Sequence, residues 1–136
     1  MIMLVLDIEA SGTEYQTHSI VSLGAIDLDN PERRFYEECR IWDGAHIMDG
    51  ALAVNGYTEA EITDPKKQTE AELIQRFMEW SQHIGNRTLV GQNVSFDRDF
   101  VHAACNRAGL PYDLAYRTLD THSLCYMHML KRGLTP

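Results

Sequence analysis

The chain opens with an unbroken apolar run, Met1-Ile-Met-Leu-Val-Leu6, that breaks into charge at Asp7. A run this short cannot span a bilayer, and its lack of alternation predicts a strand covered on both faces. Two more strand candidates follow, Ile20 to Leu28 and Arg33 to Ile41. Asp29-Asn30-Pro31 between them is turn chemistry, so the pair reads as antiparallel and hairpin-like. The middle of the chain turns helical. Asp49 to Val54 is a short helix candidate with Asn55-Gly56 as its C-cap. Thr58 with Glu61 and Thr69 with Glu72 both have capping-box spacing. The second box opens a helix with Leu73, Phe77, Trp80 and Ile84 on one face and Gly85 as its stop. A strand from Thr88 to Gly91, a helix from about Phe96 to Ala108, a strand from Tyr116 to Leu119 and a helix from about Thr121 to Lys131 complete the order. Three strands followed by αβαβα predict an α/β fold, a mixed sheet with flanking helices. No repeat or linker divides the 136 residues, so one domain over 1–136 is expected.

Charge narrows the function classes. Twelve Lys+Arg against 20 Asp+Glu leave a net charge of −8. That argues against a domain that coats nucleic acid by counterion release, but not against an enzyme that gathers carboxylates around cations. Three cysteines, Cys39, Cys105 and Cys125, form no CxxC pair, which suits reduced thiols in a cytoplasmic protein. No charged segment precedes the apolar start, and no membrane association is expected.

The acids that carry chemistry lie at two places. Asp7 and Glu9 are spaced i and i+2, so on a strand they share a face and repel unless a cation or a shared proton offsets them. Hard divalent cations favour such oxygen ligands. In the alternative reading the two acids lie beyond the strand end, solvated in a loop. Asp97 falls in the first turn of a helix, where the dipole favours a carboxylate whether or not it has a further role.

Together the segments resemble the DEDD (DnaQ-like) superfamily of 3′→5′ exonucleases, which have a ribonuclease H-like fold. Asp7, Glu9 and Gly12 match the first motif, DxE followed by Gly, and Asn93, Phe96, Asp97 and Phe100 match the second, NxxFDxxF. Ala51-Leu-Ala-Val-Asn-Gly56 followed by Thr58 is similar to the segment that lies against the terminal nucleotide. Ala10 stands where many relatives carry Thr. The resemblance implies hydrolysis of the terminal phosphodiester at the 3′ end of single-stranded DNA or RNA, releasing nucleoside 5′-monophosphates. It assigns Asp7, Glu9 and Asp97 to two Mg²⁺ or Mn²⁺ ions about 3.5–4 Å apart. Ser11, Gly12, Val54, Asn55, Asn93 and Phe96 become the expected substrate contacts. A catalytically impaired module that binds nucleic-acid ends is the alternative.

The resemblance also implies a third motif on a later helix, with a fourth carboxylate and a His five residues before it. His102, His122 and His128 are followed at that distance by Arg107, Met127 and Gly133, so none fits. Tyr116 and Asp120 fit the YxxxD variant by spacing, but Asp120 comes only 23 residues after Asp97 and reads as a helix N-cap. The chain is therefore expected to be truncated after Leu134-Thr-Pro136 and to lack the closing helix, leaving apolar surface that favours a homodimer. Other patterns carry less. His122 and His128 lie about 120° apart around a helix and cannot easily share one ion. Met48, Met78, Met127 and Met129 read as core filler or surface residues.

Overall fold

A computed structural model describes residues 3–135; Met1 and Ile2, the start of the expected first strand, lie outside the described residues. The chain order is β1 (Leu4–Ala10), β2 (Ile20–Asp27), β3 (Arg34–Glu38), α1 (Asp49–Asn55), α2 (Glu59–Ile62), α3 (Glu70–Ser81), β4 (Leu89–Gly91), α4 (Val94–Ala108), β5 (Thr118–Asp120) and α5 (Thr121–Lys131). The strands form one mixed sheet, β3-β2-β1-β4-β5, antiparallel from β3 to β1 and parallel from β1 to β5. The first strand is central, as its apolar run predicts. Among the described residues no helix is long and apolar enough to cross a membrane.

Coverage of β1 differs from the expectation. Leu4, Leu6, Ile8 and Ala10 are buried in the core with Phe77, Phe100 and Val101 of α3 and α4. Val5, Asp7 and Glu9 point the other way and are half-buried or exposed. The register extends that second face across the sheet in three rows: Val5–Ile26–Arg34, Asp7–Gly24–Tyr36 and Glu9–Ser22–Glu38. The strand runs through Asp7 and Glu9 to Ala10, so both acids sit on it, sharing a face, and not in a loop beyond its end.

Both capping boxes form, each with the reciprocal pair of hydrogen bonds. The Thr58 box starts a helix of only four residues; the Thr69 box starts a twelve-residue one. That helix, α3, stops at Ser81 rather than Gly85. Ile84 still reaches the core, from a turn whose Ile84 N–H bonds the Ser81 carbonyl. Inside, Glu70 forms a buried junction. Its carboxylate accepts bonds from Ser19 Oγ, the Ile20 N–H and the Arg107 guanidinium. It thereby joins the starts of β2 and α3 to the last turn of α4.

Candidate active site

Pairing between β1 and β4 extends only from Leu4↔Leu89 to Val5↔Val90. Above that point the N–H groups on this edge of β1 need other partners. The start of α4 provides one: the Ile8 N–H donates to Asp97 Oδ1 at 2.8 Å. Asp97 is 4% exposed, so the bond satisfies a buried donor and fixes the carboxylate beside the acid-bearing half of β1. Two local features set this approach. Asn93, just before α4, has φ 51°, the one positive φ outside glycine among the described residues. Asn tolerates that left-handed conformation better than most side chains. At Gly91 a Cβ would lie 2.7 Å from the Leu6 carbonyl oxygen, so only glycine lets β4 and the turn into α4 come this close.

The three acids share one electrostatic environment. Burial, with Asp7 and Glu9 nearby, pushes the Asp97 pKa up to about 7 against the pull of the Ile8 bond. Glu9 is also raised, first by burial and then by Asp7. Among the described residues none of the three has an ion-pair partner. Nor do any three His, Cys, Asp or Glu side chains among them converge closely enough to hold an ion as they stand. The acids sense one another without meeting at a point. Their donor set, carboxylate oxygens only, fits a hard divalent cation.

Beyond Glu9 lies a cleft of about 380 Å³ between the end of β1 and α1, with Glu9, Met48, Val54, Asn55 and Phe96 among its lining residues. A set of bonds holds α1 against the strand end. Asn55 Nδ2 donates to the Ala10 carbonyl at 3.0 Å, at the bulge where the β1–β2 register shifts. The Met48 N–H donates to the Ser11 carbonyl, and the Ser11 hydroxyl donates to the His46 carbonyl.

The expected substrate residues therefore divide. Val54 (87% exposed), Asn55 and Phe96 line the cleft. Ser11 is fully buried, with its hydroxyl also accepting from the Ser19 N–H. Gly12 borders the cleft but has a packing role too: a Cβ there would lie 2.1 Å from the His18 ring. Asn93 is exposed at the entry to α4 and does not border the cleft. Met48, set aside from its sequence as filler or surface, is a cleft residue; the backbone bond to Ser11 that carries it there leaves no sequence signature. Asp120 is the N-cap of α5, accepting from the N–H groups of His122 and Ser123, as its position at a strand-to-helix junction indicates.

A sheet of this order, with its acids on the central strand and the first turn of a crossing helix, has the architecture of ribonuclease H-like exonucleases. Residues 4–135 match the RNase T family model, described as Exonuclease, and the chain belongs to that family. It is 27% identical over 134 residues to the PolC-type DNA polymerase III of Listeria monocytogenes, covering 96% of this chain and 9% of that protein. It is 26% identical over 140 residues to ribonuclease T of Klebsiella pneumoniae, covering 89% of this chain and 63% of the relative. The chain thus spans less than two thirds of these curated relatives. E. coli Exonuclease I in complex with a dA16 oligonucleotide superposes with a TM-score of 0.80 at 19% identity, over 97% of this chain and 30% of that one. The zinc-bound form of the same enzyme with single-stranded DNA gives 0.79 at 19% identity, over 98% of this chain and 31% of that one.

Proposed function

We propose that the chain is a metal-dependent 3′→5′ exonuclease domain acting on single-stranded nucleic acid and releasing nucleoside 5′-monophosphates. The observation that carries this reading is the Ile8–Asp97 bond, which fixes a buried carboxylate beside Asp7 and Glu9. Asp7, Glu9 and Asp97 would hold two Mg²⁺ or Mn²⁺ ions. When bound, such ions lower the pKa of an attacking water and stabilise charge on the phosphorus oxygens. The chain's own residues orient and exclude. Val54, Met48 and Phe96 offer apolar surface to the terminal base or sugar, with no base-reading run of polar side chains, which suits an enzyme indifferent to sequence. Asn55, by gripping the Ala10 carbonyl, keeps that surface in register with Glu9. The buried, raised thiols of Cys39 and Cys105 are inert and fit a reducing, cytoplasmic setting.

A single-stranded oligonucleotide labelled at its 5′ end tests the reading. With Mn²⁺ the expected product is a ladder shortening one nucleotide at a time, lost on chelation. Tight binding of the oligonucleotide with no shortening would replace the reading with that of an end-binding module.

A further inference from the structure

Helix α1 forms one wall of the cleft, yet none of its residues is buried. Packing therefore does little to fix its position, and directed bonds carry that task. Two of them, from the Met48 N–H to the Ser11 carbonyl and from Asn55 Nδ2 to the Ala10 carbonyl, tie the helix to the end of β1. A third attachment lies just past the helix, on another part of the sheet. Gly56, at φ 78°, caps α1 in the left-handed conformation and turns the chain into Tyr57. The Tyr57 N–H donates to Asn55 Oδ1, and the Tyr57 hydroxyl donates to Glu38 Oε1 at 3.2 Å. Glu38 ends the row that starts at Glu9 and passes through Ser22, so the bond fastens the exit of α1 to the strand row of Glu9. Lys67 completes the attachment. Its ammonium lies 3.6 Å from Glu38 Oε2 and 5.5 Å from the centre of the Tyr57 ring. Burial, and next the contact with the Tyr36 hydroxyl, raises the Tyr57 pKa, so the phenol keeps its proton and remains a donor.

We propose that Tyr57 is a positioning residue for the 3′-terminal nucleotide, holding α1 closed over the cleft through Glu38. The inference rests on the exonuclease reading, which sets that nucleotide against Val54 and Met48. Tyr57 does not border the cleft itself and acts through the helix that does. Without its hydroxyl, α1 of the free chain spends more time displaced, and apparent affinity falls with the fraction of closed molecules. A bound nucleotide holds the wall in place through its own contacts, so the step at saturation is little changed.

Two measurements on Tyr57→Phe test this. The substitution keeps the ring beside Lys67 and leaves Glu38 paired with that lysine. The first needs no activity: amide hydrogen exchange of the free chain. Exchange across residues 52–57 should quicken by about tenfold or more, as expected for the loss of a bond to a charged acceptor, while α3 is unaffected. The second is cleavage of a single-stranded oligonucleotide with Mn²⁺. KM should rise about fivefold or more, with kcat within about twofold of the wild type. Glu38→Ala, which removes the acceptor, should reproduce both effects, and combining the two substitutions should add little. Exchange in α1 unchanged by Tyr57→Phe, a kcat that falls while KM holds, or fully additive substitutions would each overturn the proposal. A wild-type chain that fails to shorten the strand would overturn the exonuclease reading and the proposal with it, an outcome told apart because it needs no substitution.

Discussion

At the scale of the residue, Asp97 holds together the structural and chemical parts of the account. Its folded pKa, about 7, lies above the ordinary carboxylate value, so the folded state keeps a proton that the unfolded chain releases. The sign follows: this contribution is fully present below the ordinary carboxylate pKa and is lost as pH rises through about 7, for a total of a few kcal/mol. Asp97→Asn keeps an acceptor for the Ile8 N–H and removes the titration. Melts in EDTA at pH 8 should therefore find Asp97→Asn more stable than the wild type and less dependent on pH. Asp97→Ala, which also orphans the Ile8 N–H, should instead lose about 1–3 kcal/mol relative to Asp97→Asn. Mg²⁺ or Mn²⁺ should raise the wild-type melting temperature, by roughly 2.7 kcal/mol of stability at a hundredfold excess over the dissociation constant. Asp7→Ala and Asp97→Asn should remove that response. Asp120→Ala should keep it while costing about 1 kcal/mol for the lost cap. An Asp120→Ala chain blind to metal would place the fourth ligand there. The placement of Asp7 and Glu9 on one strand face, of Asp97 in a helix's first turn and of Asp120 as an N-cap was legible in the sequence, because each depends on local spacing. The packing role of Gly12 was not, since the ring that demands it belongs to His18 and arrives only with the fold.

Among the elements, local chemistry read well and tertiary chemistry did not. Both capping boxes formed because Thr and Glu three residues apart satisfy each other without outside help. The ends of α3 and the start of α4 were missed, by about three and two residues, because contacts elsewhere set them. Ile84 reaches the core from a turn rather than from a helix face. Asn93 enters α4 through a left-handed residue that no apolar period reveals. Gly91 gives the clearest test at this scale. Gly91→Ala sets a methyl 2.7 Å from the Leu6 carbonyl, so β4 and the start of α4 must shift together. The expected result is a loss of about 1–3 kcal/mol by chemical denaturation, with a weaker metal-induced gain, because Asp97 moves with the helix. Glu70→Ala should cost more, about 3–5 kcal/mol, by leaving the Arg107 guanidinium without its buried partner. Its metal response, judged against its own metal-free melt, should persist, because the bonds of the junction go to Ser19, Ile20 and Arg107 and not to the acids.

For the molecule as a whole, the order of elements and the central place of β1 follow from the hydrophobic pattern, and the family follows from two motifs at their spacing. Coverage of β1 on both faces was also a fair reading of Met1 to Leu6, but α3 and α4 fill only one side, and the other keeps the acids accessible. The cleft residue Met48 became legible only when α1 was seen bonded to the strand end, whereas Val54 and Asn55 were expected there from the sequence. The central claim is that carboxylates brought together by the Ile8–Asp97 bond act on a 3′ terminus. The most direct measurement uses a single-stranded oligonucleotide labelled on its last nucleotide, incubated with Mn²⁺ and the wild-type or Asp97→Asn chain. The account predicts release of the label as nucleoside 5′-monophosphate by the wild type, and loss of nearly all release on chelation or in Asp97→Asn. Label released equally by Asp97→Asn, or appearing first in longer fragments cut from within the strand, would contradict it.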